Sequence, residues 1–147
     1  MSDKPAVRAV IGRGMRAMKR MLIILAAVAA IGGIFLAGVL SMSAKMEDEL
    51  ANLKYYEADL SGLKDGVYRG QAQTTFVKVE VEVEVKNHRI TGIDILKHDD
   101  GFGAKAERIV EDMISANTYD VDAISGATSS SQVIKSAVSD ALANGSR

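Results

Sequence analysis

Val77-Lys78-Val79-Glu80-Val81-Glu82-Val83-Glu84-Val85-Lys86 is a run in which valine alternates with charge. Side chains alternate faces along a strand, so this period of two specifies one apolar and one solvated face. A helix would scatter the same valines around its axis. The acidic row suits a solvated face that discourages edge pairing; a docking surface for a basic partner is the alternative. Asn87-His88 follows as a turn, because Asn tolerates positive φ. His88 there reads as a solvated turn residue rather than a ligand. Arg89 to Leu96 then returns as a second strand, and Tyr68 to Phe76 contains another.

Beyond the hairpin the period changes. Ala106, Ile109, Val110, Met113 and Ile114 share one face of a helix over Ala104 to Ala116. Val121 to Ile124 is expected to be a short strand. Val133, Ile134, Ala137, Val138, Ala141 and Leu142 are spaced as the face of a last helix, with Ser129 to Ser131 as cap residues. The fold class is therefore α+β, a small antiparallel sheet packed with two or three helices.

The N-terminal part has a different character. Met21 to Leu40 is twenty residues without a charge. At 1.5 Å per residue a helix of that length spans about 30 Å, the hydrocarbon thickness of a bilayer. Lys4, Arg8, Arg13, Arg16, Lys19 and Arg20 precede it, and Lys45, Glu47, Asp48 and Glu49 follow. The basic flank places the N-terminus in the cytoplasm and the rest of the chain outside, in the cell membrane as a single-pass protein. A cleaved signal peptide, with Ser41 and Ser43 near the cut, is the alternative; the length of the apolar run favours an uncleaved anchor. The expected organisation is a basic cytoplasmic tail over 1–20, a transmembrane anchor over 21–41, a stalk or linker over 42–61 and a domain over 62–147.

Composition narrows the chemistry. The 147 residues carry a formal net charge of −1, which gives nucleic acid no electrostatic footprint. Cysteine is absent, so disulfides, thiolate metal sites and iron–sulfur clusters are excluded. No P-loop or dinucleotide glycine fingerprint occurs, and no nucleophile–base spacing for hydrolysis. His98-Asp99-Asp100 is weak as a metal site without a third spaced donor, so no metal is expected. Gly101 and Gly103 suit a tightly turning loop around Phe102.

The most informative stretch is Asp122-Ala123-Ile124-Ser125-Gly126-Ala127-Thr128-Ser129-Ser130. Gly126 and Ala127 leave room for another molecule to approach the backbone. Thr128 sits at or just before a helix start, where free N–H groups and the positive dipole end suit a phosphate. A helix-capping loop would use the same residues.

The pattern Asp122-x-x-Ser125-Gly126-Ala127-Thr128 resembles the flavinylation motif of the FMN-binding domain family. That family includes the C-type and G-type subunits of sodium-pumping NADH:quinone reductases, their RNF relatives, and small membrane-anchored domains. Asp65-Gly66-Val67-Tyr68-Arg69-Gly70 is similar to the opening of these domains, and Val77 to Ile95 to their central hairpin. His98 to Gly103 resembles a shortened form of a loop near the flavin ring, without its Pro and Glu-Thr pair. The resemblance covers about residues 64–144.

The resemblance implies FMN held through a phosphoester to Thr128, installed by a flavin transferase that uses FAD. Asp122, Ser125, Gly126 and Ala127 would be the transferase's recognition set, with Ser129 beside the acceptor. Tyr68, His98, Gly101, Phe102, Gly103 and Tyr119 are candidate neighbours of the ring. The implied function is a membrane-anchored, extracytoplasmic electron carrier rather than a stand-alone enzyme, with no catalytic residues of its own. Its partners would be the transferase, the lipid bilayer, a membrane electron donor and an external acceptor. A subunit of a larger RNF-like or reductase-like complex, and a non-redox flavin-binding or sensing module, are the alternatives.

Overall fold

A computed structural model describes residues 4–99 and 104–146, with the side chains of 4–17 and of 104 outside that description. The chain divides into two compact units, 1–44 and 45–147. Helix α1 (Lys4–Ala51) begins in the first and ends in the second. From Met18 it is long and apolar enough to cross a membrane. Ile34 and Phe35 are 75% and 74% exposed, so this is not the buried core helix of a soluble fold.

The second unit is built on one sheet. Strands β1 (Gly66–Gln73), β2 (Lys78–Lys86) and β3 (Arg89–Asp99) pair antiparallel in the order β1-β2-β3. Val79, Val81, Val83 and Val85 of the central strand are almost completely buried. On the other face Glu82 pairs with Arg69 at 2.5 Å, and Glu80 with Lys78 at 2.9 Å. The alternation thus sorts as expected. Asn87 and His88 turn the hairpin with φ of 50° and 59°, the twist that two-residue hairpins need. His88 is exposed, and its Nδ1 also lies 3.0 Å from the Leu60 carbonyl.

Strand β3 departs from simple alternation. Val85 faces Ile90 and Val83 faces Ile93, so three steps on β3 match two on β2. The bulge brings both isoleucines to the core face. A second shift matches Val81 with Ile95 and Val79 with His98. It turns the His98 side chain inward, where strict alternation from Ile95 would have turned Lys97.

Two helices cover the valine face. A 3-10 turn (Ala104–Arg108) leads into α2 (Ile109–Ala116), which buries Ile109 and Met113. Helix α3 (Thr128–Gly145) buries Val133, Ile134, Ala137, Val138, Ala141 and Leu142. Each large aliphatic among them stabilises the fold by about 2 kcal/mol. The approach to β1 is very close: a Cβ on Gly70 would lie 2.2 Å from the Ala137 carbonyl oxygen and 2.3 Å from the Ala141 nitrogen. Gly70 is therefore required by backbone-to-backbone contact. Asp140 accepts from the Gln71 N–H at 3.1 Å, and Asn144 donates to the Arg69 carbonyl at 3.0 Å, fixing the same crossing.

Two sequence expectations change. Val121–Ile124 is not a strand but an irregular approach to α3. The N–H of Ile124 is taken by the Ser131 hydroxyl rather than by a neighbouring strand. Of the stalk or linker expected over 42–61, residues 45–61 lie inside the compact unit. Leu50, Leu53, Ala58 and Leu60 pack on its core. Ser136 donates to the Lys54 carbonyl at 2.7 Å, and the Tyr56 N–H donates to Ser139 at 3.3 Å.

Gly70→Ala should therefore destabilise the second unit by about 3 kcal/mol or more, since neither backbone can give way cheaply. Urea unfolding of residues 45–147 measures it; a loss below about 1 kcal/mol would mean that α3 does not seat on Gly70.

Candidate functional site

The segment entering α3 is held by its own hydrogen bonds. Gly126 has a φ of +79°, and a Cβ there would meet nothing within 4 Å. That conformation belongs to glycine. The Ala127 N–H donates to the Ile124 carbonyl at 2.9 Å, closing the turn. Ser131, completely buried, accepts from the Ile124 N–H at 3.0 Å and donates to the Ala127 carbonyl at 2.9 Å. One hydroxyl thus locks both ends of the Ile124–Ala127 turn onto the helix.

Ala127 occupies the N-cap of α3, with no side-chain cap. Ser129, Ser130 and Ser131 fall within the first helical turn, past the position where a cap residue acts, so the expected serine cap is not formed. Thr128 is the first helical residue and is exposed. The helix start it occupies has no side-chain cap for its first-turn N–H groups. Such a terminus is a good seat for a phosphate group. Ser125, Gly126 and Asp122 are exposed beside it. Ser129 is half-buried and donates to the Met46 sulfur at 3.4 Å.

The direction of α3 decides which other candidates can share this site. A Cβ on Gly145 would lie 2.7 Å from the Tyr68 ring. Gly70 lies under Ala137 and Ala141, so moving toward the start of α3 moves along β1 toward Gln73. Tyr68 is therefore at the far end of the helix, roughly 25 Å along it from Thr128. Its hydroxyl donates to the Lys64 carbonyl at 2.7 Å. Tyr68, expected as a neighbour of the ring, thus lies against Gly145 at the other end of α3.

His98 lies at the end of the sheet toward which α3 begins, since Val79 pairs with both Ala72 and His98. The bulge buries its side chain to 3% exposure, and Nδ1 sits 2.9 Å from Glu107 Oε1. The pair joins the end of β3 to the turn before α2. Gly101, Phe102 and Gly103 lie outside the described residues. Among the described residues no group of three metal-ligating side chains converges.

Sequence reasoning did not single out Tyr55. It stacks on Tyr119, and its hydroxyl donates to Gln132 Oε1 at 2.5 Å. The fourfold step from Thr128 to Gln132 places them on one helix face, but nothing in the charged segment around Tyr55 signals the contact. Burial pushes the Tyr55 phenol up from its usual value, and the Asp120 carboxylate adds to the effect. Tyr119 is raised for the same two reasons, in the same order.

Residues 75–143 match the family model of the FMN-binding domain. They take in β2, β3, α2 and the motif, with α3 almost to its end. An uncharacterized protein of Treponema pallidum (strain Nichols) is 35% identical over 83 residues, which is 54% of this chain and 23% of that protein. The chain thus spans less than a quarter of that relative's length. Residues 75–143 thus carry an FMN-binding domain, within a folded unit that follows a helix able to cross a membrane.

Ser131→Ala should leave the buried Ile124 N–H without its acceptor and cost about 1–3 kcal/mol. Chemical denaturation of the 45–147 unit measures the loss. An unchanged midpoint would show that the turn holds without the hydroxyl.

Proposed function

We propose that this chain is a membrane-anchored, extracytoplasmic electron-transfer flavoprotein whose FMN is bound covalently through Thr128. The observation that carries this reading is that Thr128 is exposed at the start of α3, where no side chain caps the helix, with open space at the neighbouring Gly126. Thr128 Oγ forms the new bond to phosphorus. The phosphorus–oxygen bond to the AMP half of FAD breaks, AMP leaves, and the hydroxyl proton is lost to solvent or to the transferase. First-turn N–H groups and the helix dipole then hold the phosphate charge. Asp122, Ser125, Gly126 and Ala127 present the corner that a flavin transferase reads.

The flavin, when bound, supplies one- or two-electron exchange. The protein's own part is to hold it at a fixed point and prevent its loss outside the cell. The sequence has no nicotinamide fingerprint, so electrons would come from a membrane donor and pass to an external acceptor.

Intact mass after co-expression with a flavin transferase tests the attachment. Wild type should gain the mass of FMN less water, Thr128→Ser a partial gain, and Thr128→Ala none. The alanine change should alter stability by only about 0.5 kcal/mol, because the side chain is exposed. A labelled Thr128→Ala would move the acceptor to Ser129 or Ser130; an unlabelled wild type would overturn the covalent reading.

Orientation has its own test. The basic flank before Met21 predicts that protease added to spheroplasts removes residues 45–147. Protection of that unit would place it in the cytoplasm.

A further inference from the structure

Tyr55 and Tyr119 stack with ring centroids 6.3 Å apart and planes 13° from parallel. Both come from irregular segments, Tyr55 after the end of α1 and Tyr119 on the approach to α3. Both segments are fastened to α3. The Tyr55 hydroxyl donates to Gln132 Oε1 at 2.5 Å, with the Gln132 carbonyl at 3.3 Å. Asp120, next to Tyr119, pairs with Lys135 at 3.0 Å.

These anchor points have a definite place. Gln132 is one turn beyond Thr128, roughly 6 Å along the axis, and Lys135 is about two turns beyond, on the same face. The anchor points of the stacked pair therefore lie on the helix face that carries Thr128, within two turns of it. Tyr119 flanks Tyr55 in an offset, nearly parallel arrangement, and Tyr55 remains 40% exposed. An aromatic ring fixed by its hydroxyl and backed by a second ring is a rigid π surface open to solvent. Burial and the Asp120 charge keep both phenols protonated.

We propose that Tyr55, backed by Tyr119, is the stacking platform for the isoalloxazine ring of a flavin attached at Thr128. The inference rests on the covalent reading above. A phosphate at Thr128 leaves the ribityl chain free to lay the ring one or two helical turns away. Offset stacking is the preferred contact between two such aromatic planes. The platform would replace water on one face of the ring and hold it against α3.

Flavin fluorescence tests this on the full chain, co-expressed with a flavin transferase and solubilised from membranes. A stacked phenol or indole donates an electron to the excited flavin and quenches it; leucine and phenylalanine do not. Intact mass should show equal labelling of wild type, Tyr55→Trp, Tyr55→Leu and Tyr55→Phe. Wild type and Tyr55→Trp should be dim. Tyr55→Leu should be several-fold brighter, and denaturation should make them all equally bright. Tyr55→Phe keeps the ring volume and should brighten likewise, which covers the case where Tyr55→Leu fails to unfold cooperatively. Labelled folded variants as dim as wild type would overturn the platform and leave the phosphoester intact. An unlabelled wild type would overturn the phosphoester, and the platform with it.

Discussion

The contact between Gly70 and the α3 backbone governs the second unit. With no Cβ in between, the helix lies directly on β1, so that Val133, Ile134, Val138 and Leu142 meet the valine row of β2. The start of α3 is in turn fixed against the sheet, and with it Thr128. A side chain at residue 70 would lift the whole helix, core and site together.

Polar groups complete what the apolar face begins. Helix α3 buries Ser131, Ser136 and Ser139 along with its aliphatics. Buried hydroxyls are costly unless bonded, and each of these is. Ser131 holds the turn before the helix, while Ser136 and Ser139 hold the Lys54–Tyr56 segment. Residues 45–61 are thereby stitched to the helix that carries Thr128, although only a few apolar side chains anchor them.

Legibility in the sequence followed the strength of the periodic signal. The β2 alternation and the α3 face could be read directly, because burial on one side leaves a regular trace. Bulges leave none: the first puts Ile93 and Ile95 on the core face and the second returns His98 to it, and no residue type announces either shift. Residues 45–61 read as a linker because their contacts to α3 run through backbone groups and serines. Val121 and Ile124 suggested a strand by composition, but the chain must reverse there into α3, and Ser131 supplies the bond a strand would have given. The turn before α3 was legible from the small-residue run before Thr128, since Gly126 takes the positive φ that glycine favours. The place of Tyr68 at the far end of α3 was not legible, because the direction of α3 across β1 has no signature in either segment alone.

The locked turn before α3 has a consequence for the order of events in the life of the chain. Thr128 cannot be drawn out as an extended peptide without opening the Ile124–Ala127 turn and fraying a helix whose burial begins at its third residue. Any enzyme that works on this hydroxyl must therefore come to a finished corner of the protein and recognise its shape.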